Sequence, residues 1–158
     1  MDWFKKVVFE NYANFSGRAR RKEYWMFMLF YFIFSFVLAL ISALLGVFGS
    51  LLLLVWSFGL FLPTIAVTIR RFHDSGKTGW WYLASFVPII PLALLAYLVM
   101  TKSSSGNMLV VSSVLLVISV AICLIPLIFL FLNSEPGANQ WGPNPKDEAE
   151  YREMPPAL

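Results

Sequence analysis

The residues of this chain that could do chemistry are concentrated in one segment, Arg70–Trp81, with the sequence RRFHDSGKTGWW. It contains the single histidine of the chain, His73, followed directly by Asp74. An imidazole and a carboxylate are common partners in general acid–base catalysis, and a Gly-Lys-Thr triplet is part of phosphate-binding loops. The segment therefore raises two hypotheses, an enzyme acting on lipid headgroups or polyprenyl substrates and an anion-binding loop.

Both chemistries lack parts that they require. The phosphate-loop pattern G-x-x-x-x-G-K-[ST] needs glycine where the chain has Arg71, and no strand precedes it. Neighbouring residues on a helix point apart, and one histidine with one cysteine cannot make a usual zinc site. We therefore predict no catalytic residue, cofactor or metal. We expect His73 to order the segment by hydrogen bonding to a backbone carbonyl, and Asp74 to pair with an arginine or cap the turn.

The elements that must position this segment are long apolar blocks. Hydrophobic residues make up 59% of the chain and charged residues 13%, whereas soluble domains are about half apolar and a quarter charged. Four blocks carry no charge: 24–45, 51–69, 80–100 and 108–132. At about 1.5 Å per residue, each can cross the roughly 30 Å hydrocarbon layer as a helix. The predicted fold is all-α, a polytopic membrane helical bundle with four transmembrane helices over residues 24–132.

The segments that flank this bundle differ from it in composition. Residues 1–23 are predicted to form a cytoplasmic amphipathic helix over 3–15 followed by a basic stretch, and the helix lies on the membrane or packs on the protein's own helices. Residues 133–158 are polar and rich in proline and glycine, which predicts a partly disordered tail. Aromatic residues in the N-terminal helix and at the block ends are predicted interfacial anchors: Trp3, Tyr24, Trp25, Trp80 and Trp81.

Prolines interrupt three of the apolar blocks. Thr64 and Thr68 are expected to help satisfy the carbonyls that Pro63 frees in the second block. Pro88 and Pro91 leave two readings of the third block, one full span or a broken, re-entrant segment. The choice decides the side of the tail, since four full spans place it with the N-terminal segment.

Basic residues are distributed unevenly between the connections. With four spans, one face carries 11 lysines and arginines and the other carries 1. The positive-inside rule places the basic-rich face, and with it both termini, in the cytoplasm. Glu23 is expected to pair with an arginine of its own basic stretch.

The basic-rich face is predicted to carry a headgroup- or partner-binding group of residues, the cuff: Arg18, Arg20, Arg21, Arg70, Arg71, His73, Asp74 and Lys77. Expected partners are anionic lipid headgroups, with a membrane-protein partner or a homo-oligomer as alternatives and no nucleic acid. A small transporter or channel component is a second class of function, for which Thr64, Thr68 and Ser85 would line a polar cavity. An enzyme using His73 and Asp74 is the third.

Three motifs carry a family resemblance. The sequences NFSGRARRKEYWMF (Asn14–Phe27), RRFHDSGKTGWW (Arg70–Trp81) and PGANQWGPNP (Pro136–Pro145) together resemble the DUF805 family of bacterial inner-membrane proteins, in family order and over nearly the whole chain. The resemblance implies a small multi-span protein of the bacterial cytoplasmic membrane with unassigned biochemical function, and it brings no catalytic residues. The chain departs from short members because the block 108–132 lies between the third block and the tail motif.

Overall fold

The computed structural model describes residues 2–101 and 106–146, and this part of the chain is helical without a β-strand. Helix α1 (Asp2–Lys5) continues as one π-helical turn, Lys6–Glu10. The remaining elements are α2 (Arg21–Leu45), α3 (Val47–Asp74), a 3₁₀ helix (Gly79–Phe86), α4 (Ile89–Thr101) and α5 (Gly106–Phe131). The predicted all-α fold is confirmed.

Four helical stretches are long and apolar enough to cross a membrane: Arg21–Leu45, Val47–Asp74, Gly79–Thr101 and Gly106–Phe131. They correspond to the four apolar blocks, but the second is longer at both ends than the predicted 51–69. The segment Arg70–Asp74, which the sequence places in a connection, is instead the last turn of α3. The charged side chains of this turn are therefore carried on a rigid helix.

The chain divides into two compact units, of which one holds residues up to Thr78 together with the tail from Asn133, and the other holds Gly79–Leu132. Within the second unit, Pro88 lies between the 3₁₀ helix and α4. Pro91 lies in the first turn of α4, where backbone N–H groups have no intrahelical partner, so the missing N–H of proline costs no hydrogen bond. The third block is thus helical on both sides of one break. Cys123 lies on α5 beside the carbonyl of Ser85, at 4.0 Å.

Helices α2 and α3 form a tight hairpin in the first unit. Gly46 makes the turn with φ of +56° and ψ of −124°, a conformation that suits a residue without Cβ. At Gly49 the backbones approach so closely that a Cβ would lie 2.3 Å from the Cα of Ser42. Further along the hairpin, the Trp56 indole N–H donates to the Ser35 hydroxyl at 2.9 Å.

The N-terminal helix packs on α2 through aromatic rings. The ring of Phe4 stacks on Phe27 at 5.6 Å between centroids and contacts Phe34 at 6.1 Å. The helix ends at Glu10, earlier than the predicted residue 15, where the Asn11 side-chain amide donates to the carbonyl of Lys6 at 3.1 Å. Packing on the protein's own helices, one of the two placements expected for this helix, is observed, and its placement on the membrane stays a prediction.

The carbonyl that Pro63 frees in α3 finds a partner outside the helix. Because an α-helical N–H bonds the carbonyl four residues earlier, Pro63 leaves the Gly59 carbonyl unpaired, and the Tyr12 hydroxyl donates to it at 2.7 Å. Thr64 and Thr68 were expected in this role, but their hydroxyls bond the carbonyls four residues before each of them, both at 2.7 Å. The N-terminal segment therefore supports the proline site of α3.

Candidate functional site

Helix α3 ends at Asp74 and is followed by a turn that contains Gly76. The Lys77 N–H bonds the Phe72 carbonyl at 2.9 Å, and the Gly76 N–H bonds the His73 carbonyl at 3.1 Å. This is the Schellman pattern, and Gly76 takes the positive φ of +73° that it requires. The basic stretch before α2 lies alongside the end of α3, and its Ala19 N–H donates to the Arg70 carbonyl at 3.0 Å.

Arg18 is the hub of the site. Its Nε donates to the Asp74 carboxylate at 3.1 Å. Its Nη2 donates to the Glu135 carbonyl at 2.5 Å, and its Nη1 donates to the carbonyls of Gly137 at 2.7 Å and Gly142 at 3.4 Å. Guanidinium is suited to this role because it holds five donors in one rigid plane. One buried side chain thus joins the start of α2, the end of α3 and the tail.

Asp74 is the acceptor at the centre of the same site and is fully buried. Its Oδ1 bonds Arg18, and its Oδ2 accepts from the Arg71 guanidinium and from the Ser134 hydroxyl, the latter at 2.7 Å. Its backbone carbonyl accepts from the Glu135 N–H at 2.8 Å. The prediction that Asp74 pairs with an arginine is confirmed, and two arginines share it.

His73 fixes the tail from the other side. Its Nδ1 lies 3.2 Å from the Gly17 carbonyl, which makes Nδ1 the protonated nitrogen, since a carbonyl only accepts. The expected bond to a backbone carbonyl is confirmed. The ring also stacks on Trp141 at 4.5 Å with a 7° interplanar angle, and the Asn139 side-chain amide donates to the His73 carbonyl at 3.0 Å.

We call this group the clasp, and define it by the residues whose side chains tie the three motifs together: Arg18, Arg71, His73, Asp74, Ser134, Asn139 and Trp141. The Asp74 carboxylate is bonded to the two arginines and to Ser134, while the His73 imidazole bonds Gly17. The two side chains are thus engaged separately, and the geometry does not form a His–Asp dyad. Among residues 2–101 and 106–146, no three His, Cys, Asp or Glu side chains are grouped to hold a metal ion.

A second buried ion cluster lies beside the clasp. Glu23, which is 1% exposed, accepts from Arg70 at 2.9 Å and from Lys6 at 3.2 Å. Glu23 thus pairs across the hairpin and with the π-helical turn, whereas the sequence led us to expect an arginine of its own stretch. The Nε and Nη2 atoms of Arg70 are buried and hydrogen-bonded to no residue that the structure describes.

The structure separates the predicted cuff into two groups. Five members are buried, with their charges or rings directed at other parts of the chain: Arg18, Arg70, Arg71, His73 and Asp74. Arg20, Arg21 and Lys77 are partly exposed. Binding of a headgroup or partner by any of these residues stays a prediction.

The predicted anchors also differ in exposure. Trp80 is 78% exposed and Trp81 37%, and both belong to the second unit. Tyr24 is only 4% exposed, so it packs inside the protein and does not face headgroups. Trp3 is partly exposed and carries Arg20 over its ring at 4.3 Å.

The sequence left open whether the tail joins the site and assigned no tail residue to it, since the composition of the tail indicated an irregular end. The motif PGANQWGPNP contained the available signal, because two of its residues supply clasp side chains and two supply carbonyls to Arg18. Residues 147–158, for which disorder was predicted, lie outside the described residues.

The contacts between the end of α3 and the tail also limit the side of a membrane on which the tail can lie. Asp74 and Glu135 are hydrogen-bonded, so the chain between them starts and ends on the same side of a membrane. An even number of crossings is required, which agrees with full spans by the third and fourth blocks. A re-entrant third block followed by one full span would separate these two residues.

Comparison with known proteins gives related sequences and no related structure. The family model described as "Protein of unknown function (DUF805)" matches residues 12–109, which include the first two motifs and not the tail motif. In Escherichia coli (strain K12), "Inner membrane protein YhaI" is 41% identical over 107 residues, covering 68% of this chain and 90% of the relative. "Inner membrane protein YhaH" is 46% identical over 94 residues, covering 57% and 77% respectively. "Uncharacterized protein YiiR" is 34% identical over 85 residues, covering 52% and 54%. No solved structure matches.

Proposed function

The chain belongs to the DUF805 family and is an integral membrane protein, and on that premise we propose that it resides in the inner membrane with its N-terminal segment and tail in the cytoplasm. Two relatives carry the words "inner membrane protein" in their names. The orientation follows from the positive-inside rule, since the basic segments and the tail meet at one end of the α2–α3 hairpin.

We propose that this end of the protein binds the anionic headgroups of the cytoplasmic leaflet. The observation that carries the proposal is that some basic residues are buried in ion pairs while others stay exposed. Arg18 and Arg71 share Asp74, and Arg70 pairs with Glu23, so these three charges organise the fold. Among the cations left toward the outside, Arg20 and Lys22 are held by a rigid frame next to the apolar helices.

Such a surface suits lipid better than water-soluble anions. Each Lys or Arg near an anionic membrane surface contributes about 1 kcal/mol of attraction. The neighbouring face of α2 is exposed and apolar at Leu29, Phe32 and Ile33, which suits acyl chains. A ligand with a negative headgroup and apolar tails matches both parts.

The test uses the wild-type protein. The purified protein is exchanged into detergent with equal amounts of phosphatidylglycerol, cardiolipin and phosphatidylcholine, and the retained lipids are counted by native mass spectrometry. We expect phosphatidylglycerol and cardiolipin to be enriched over phosphatidylcholine, with an enrichment that falls as ionic strength rises. Equal retention of the three lipids would refute the proposed function.

A further inference from the structure

In the described part of the chain, three positively charged side chains surround one aromatic ring. The guanidinium carbon of Arg20 lies 4.3 Å from the centroid of the Trp3 ring, and the ammonium nitrogens of Lys6 and Lys22 lie at 5.7 Å and 6.0 Å. Three cations are thus held within 6.0 Å of one point. Of these three cations, Lys6 alone has a carboxylate partner among residues 2–101 and 106–146, the buried Glu23.

We propose that Trp3, Lys6, Arg20 and Lys22 form a binding site for the phosphodiester of one anionic phospholipid. The inference rests on the proposed function and assigns it to a defined place. Below, these four residues are called the Trp3 site.

The chemistry of the arginine over the ring supports this assignment. The face of an indole attracts a cation, and a guanidinium carries its N–H donors in its own plane. Those donors match two phosphate oxygens in a bidentate contact. Neither Arg20 nor Lys22 has a hydrogen bond or ion pair to a carboxylate among the described residues. Their contact is with the ring, and their charges remain available to a ligand.

Electrostatics favours an anion at this position. Like charges brought together repel, and Glu23, the carboxylate paired with Lys6 in the described part of the chain, is shared with Arg70. A phosphodiester placed among the cations would offset this repulsion. The site is also fixed in the fold, because Arg20 directly precedes α2 and the Lys6–Glu23 pair ties the π-helical turn to the first turn of α2.

The surroundings of the ring point to a lipid as the source of the phosphate. Phe4, the next residue after Trp3, packs among the aromatic rings of α2, so the site begins where the apolar part of the hairpin ends. Tryptophan favours this boundary because its ring is amphipathic. A free phosphate would use only the cations, whereas a phospholipid would use the cations and the apolar helix face together.

The test compares two variants that remove the same charge. Arg20→Gln with Lys22→Gln removes two cations from the Trp3 site. The control, Lys5→Gln with Lys146→Gln, removes two exposed cations that do not lie over the ring. Apparent affinities for phosphatidylglycerol and phosphatidylcholine are measured by native mass-spectrometric titration. Monodispersity and helical circular dichroism show whether each variant is folded.

We expect the Trp3-site variant to lose about 25-fold in phosphatidylglycerol affinity, since each cation near an anionic surface contributes about fivefold. The control should lose no more than about fivefold, and phosphatidylcholine affinity should change little in both. A third variant, Trp3→Leu, keeps every charge and should lose about threefold, because a cation–π contact is worth a few-fold in affinity.

The outcomes separate the site from the proposed function. If the wild type prefers phosphatidylglycerol but the Trp3-site variant matches the control, the site assignment is wrong and the proposed function stands. If the wild type shows no preference, both fail. If soluble glycerol 3-phosphate competes as well as the lipid does, the site takes a free phosphate and the lipid assignment is overturned. Should the double variant fail to fold, a Trp3→Leu protein with wild-type affinity overturns the assignment.

Discussion

Replacement of Asp74 by asparagine should detach the tail from the rest of its unit. The carboxylate is fully buried and holds two guanidinium groups and one hydroxyl. The Asp74→Asn side chain is nearly isosteric but neutral, so Arg18 and Arg71 would face each other without a counter-charge. The same substitution brings an amide N–H₂ toward groups that are themselves donors.

The expected cost follows from the burial of the pair. Removal of one partner of a buried ion pair costs about 3–5 kcal/mol, because the other charge is left uncompensated. The loss of stability should weaken the contacts that hold the tail, since Arg18 donates to the carbonyls of Glu135, Gly137 and Gly142. A cost of this size corresponds to a change of roughly a hundredfold to a few thousandfold in the opening equilibrium.

The measurement is hydrogen exchange with mass spectrometry on the protein in nanodiscs, followed on peptides from residues 133–146. Protection in these peptides should fall by at least about a hundredfold if opening of the tail is the main route to exchange. Peptides from the α2–α3 hairpin at Gly46 should keep their protection, since that turn lies at the opposite end of both helices from the clasp.

A matched control is available in the same tail. Glu135 is exposed, and its carboxylate accepts one bond from Asn139 at 2.9 Å. Glu135→Gln keeps an acceptor and should change stability by no more than about 0.5 kcal/mol. If tail protection in Asp74→Asn stays within about threefold of wild type, or equals that of Glu135→Gln, the central role given to Asp74 is refuted.

Two further substitutions test the packing that supports the clasp. Gly49→Ala places a methyl group 2.3 Å from the Cα of Ser42 and should destabilise the hairpin by about 1–3 kcal/mol. The control is Gly59→Ala, where the added Cβ meets nothing within 4 Å, and the thermal midpoint of Gly49→Ala should be the lower of the two. An unchanged midpoint in Gly49→Ala would contradict the close helix contact. Tyr12→Phe removes the hydroxyl that bonds the Gly59 carbonyl at 2.7 Å and should lower the stability of the protein by about 1 kcal/mol. The change is measured by thermal unfolding in detergent. Stability equal to wild type would mean that another group satisfies this carbonyl.

The sequence was most informative where one physical requirement dominates. A charge-free block of about 20 residues has few stable states other than a membrane-spanning helix, because lipid supplies no hydrogen-bond partners to the backbone. The number of spans, the all-α fold and the clustering of basic residues therefore followed from residue type and position alone. The ends of the helices were harder to predict. Helix α3 extends to Asp74 because its last carbonyls accept hydrogen bonds from the turn at Gly76, from the stretch before α2 and from the tail.

The candidate site was only partly predictable. Local chemistry indicated that Asp74 would pair with an arginine and that His73 would bond a carbonyl. It did not indicate which ones, because Arg18 lies 56 residues from Asp74 in the chain and the tail carbonyls lie 117 to 124 residues from Arg18. Partners at that separation are chosen by how the helices pack, and any of several arginines satisfied the sequence pattern equally well.

Taken by itself, the sequence determined that this chain is a helical membrane protein with one strongly basic face, since burial of apolar blocks in lipid and the placement of lysine and arginine depend on composition and order alone. Only the tertiary structure decided which basic residues are internal. Arg18, Arg70 and Arg71 meet carboxylates and lie buried, while Arg20 and Lys22 lie over a tryptophan ring. A buried charge requires a partner, and distant segments brought together by the hairpin and the tail supply it.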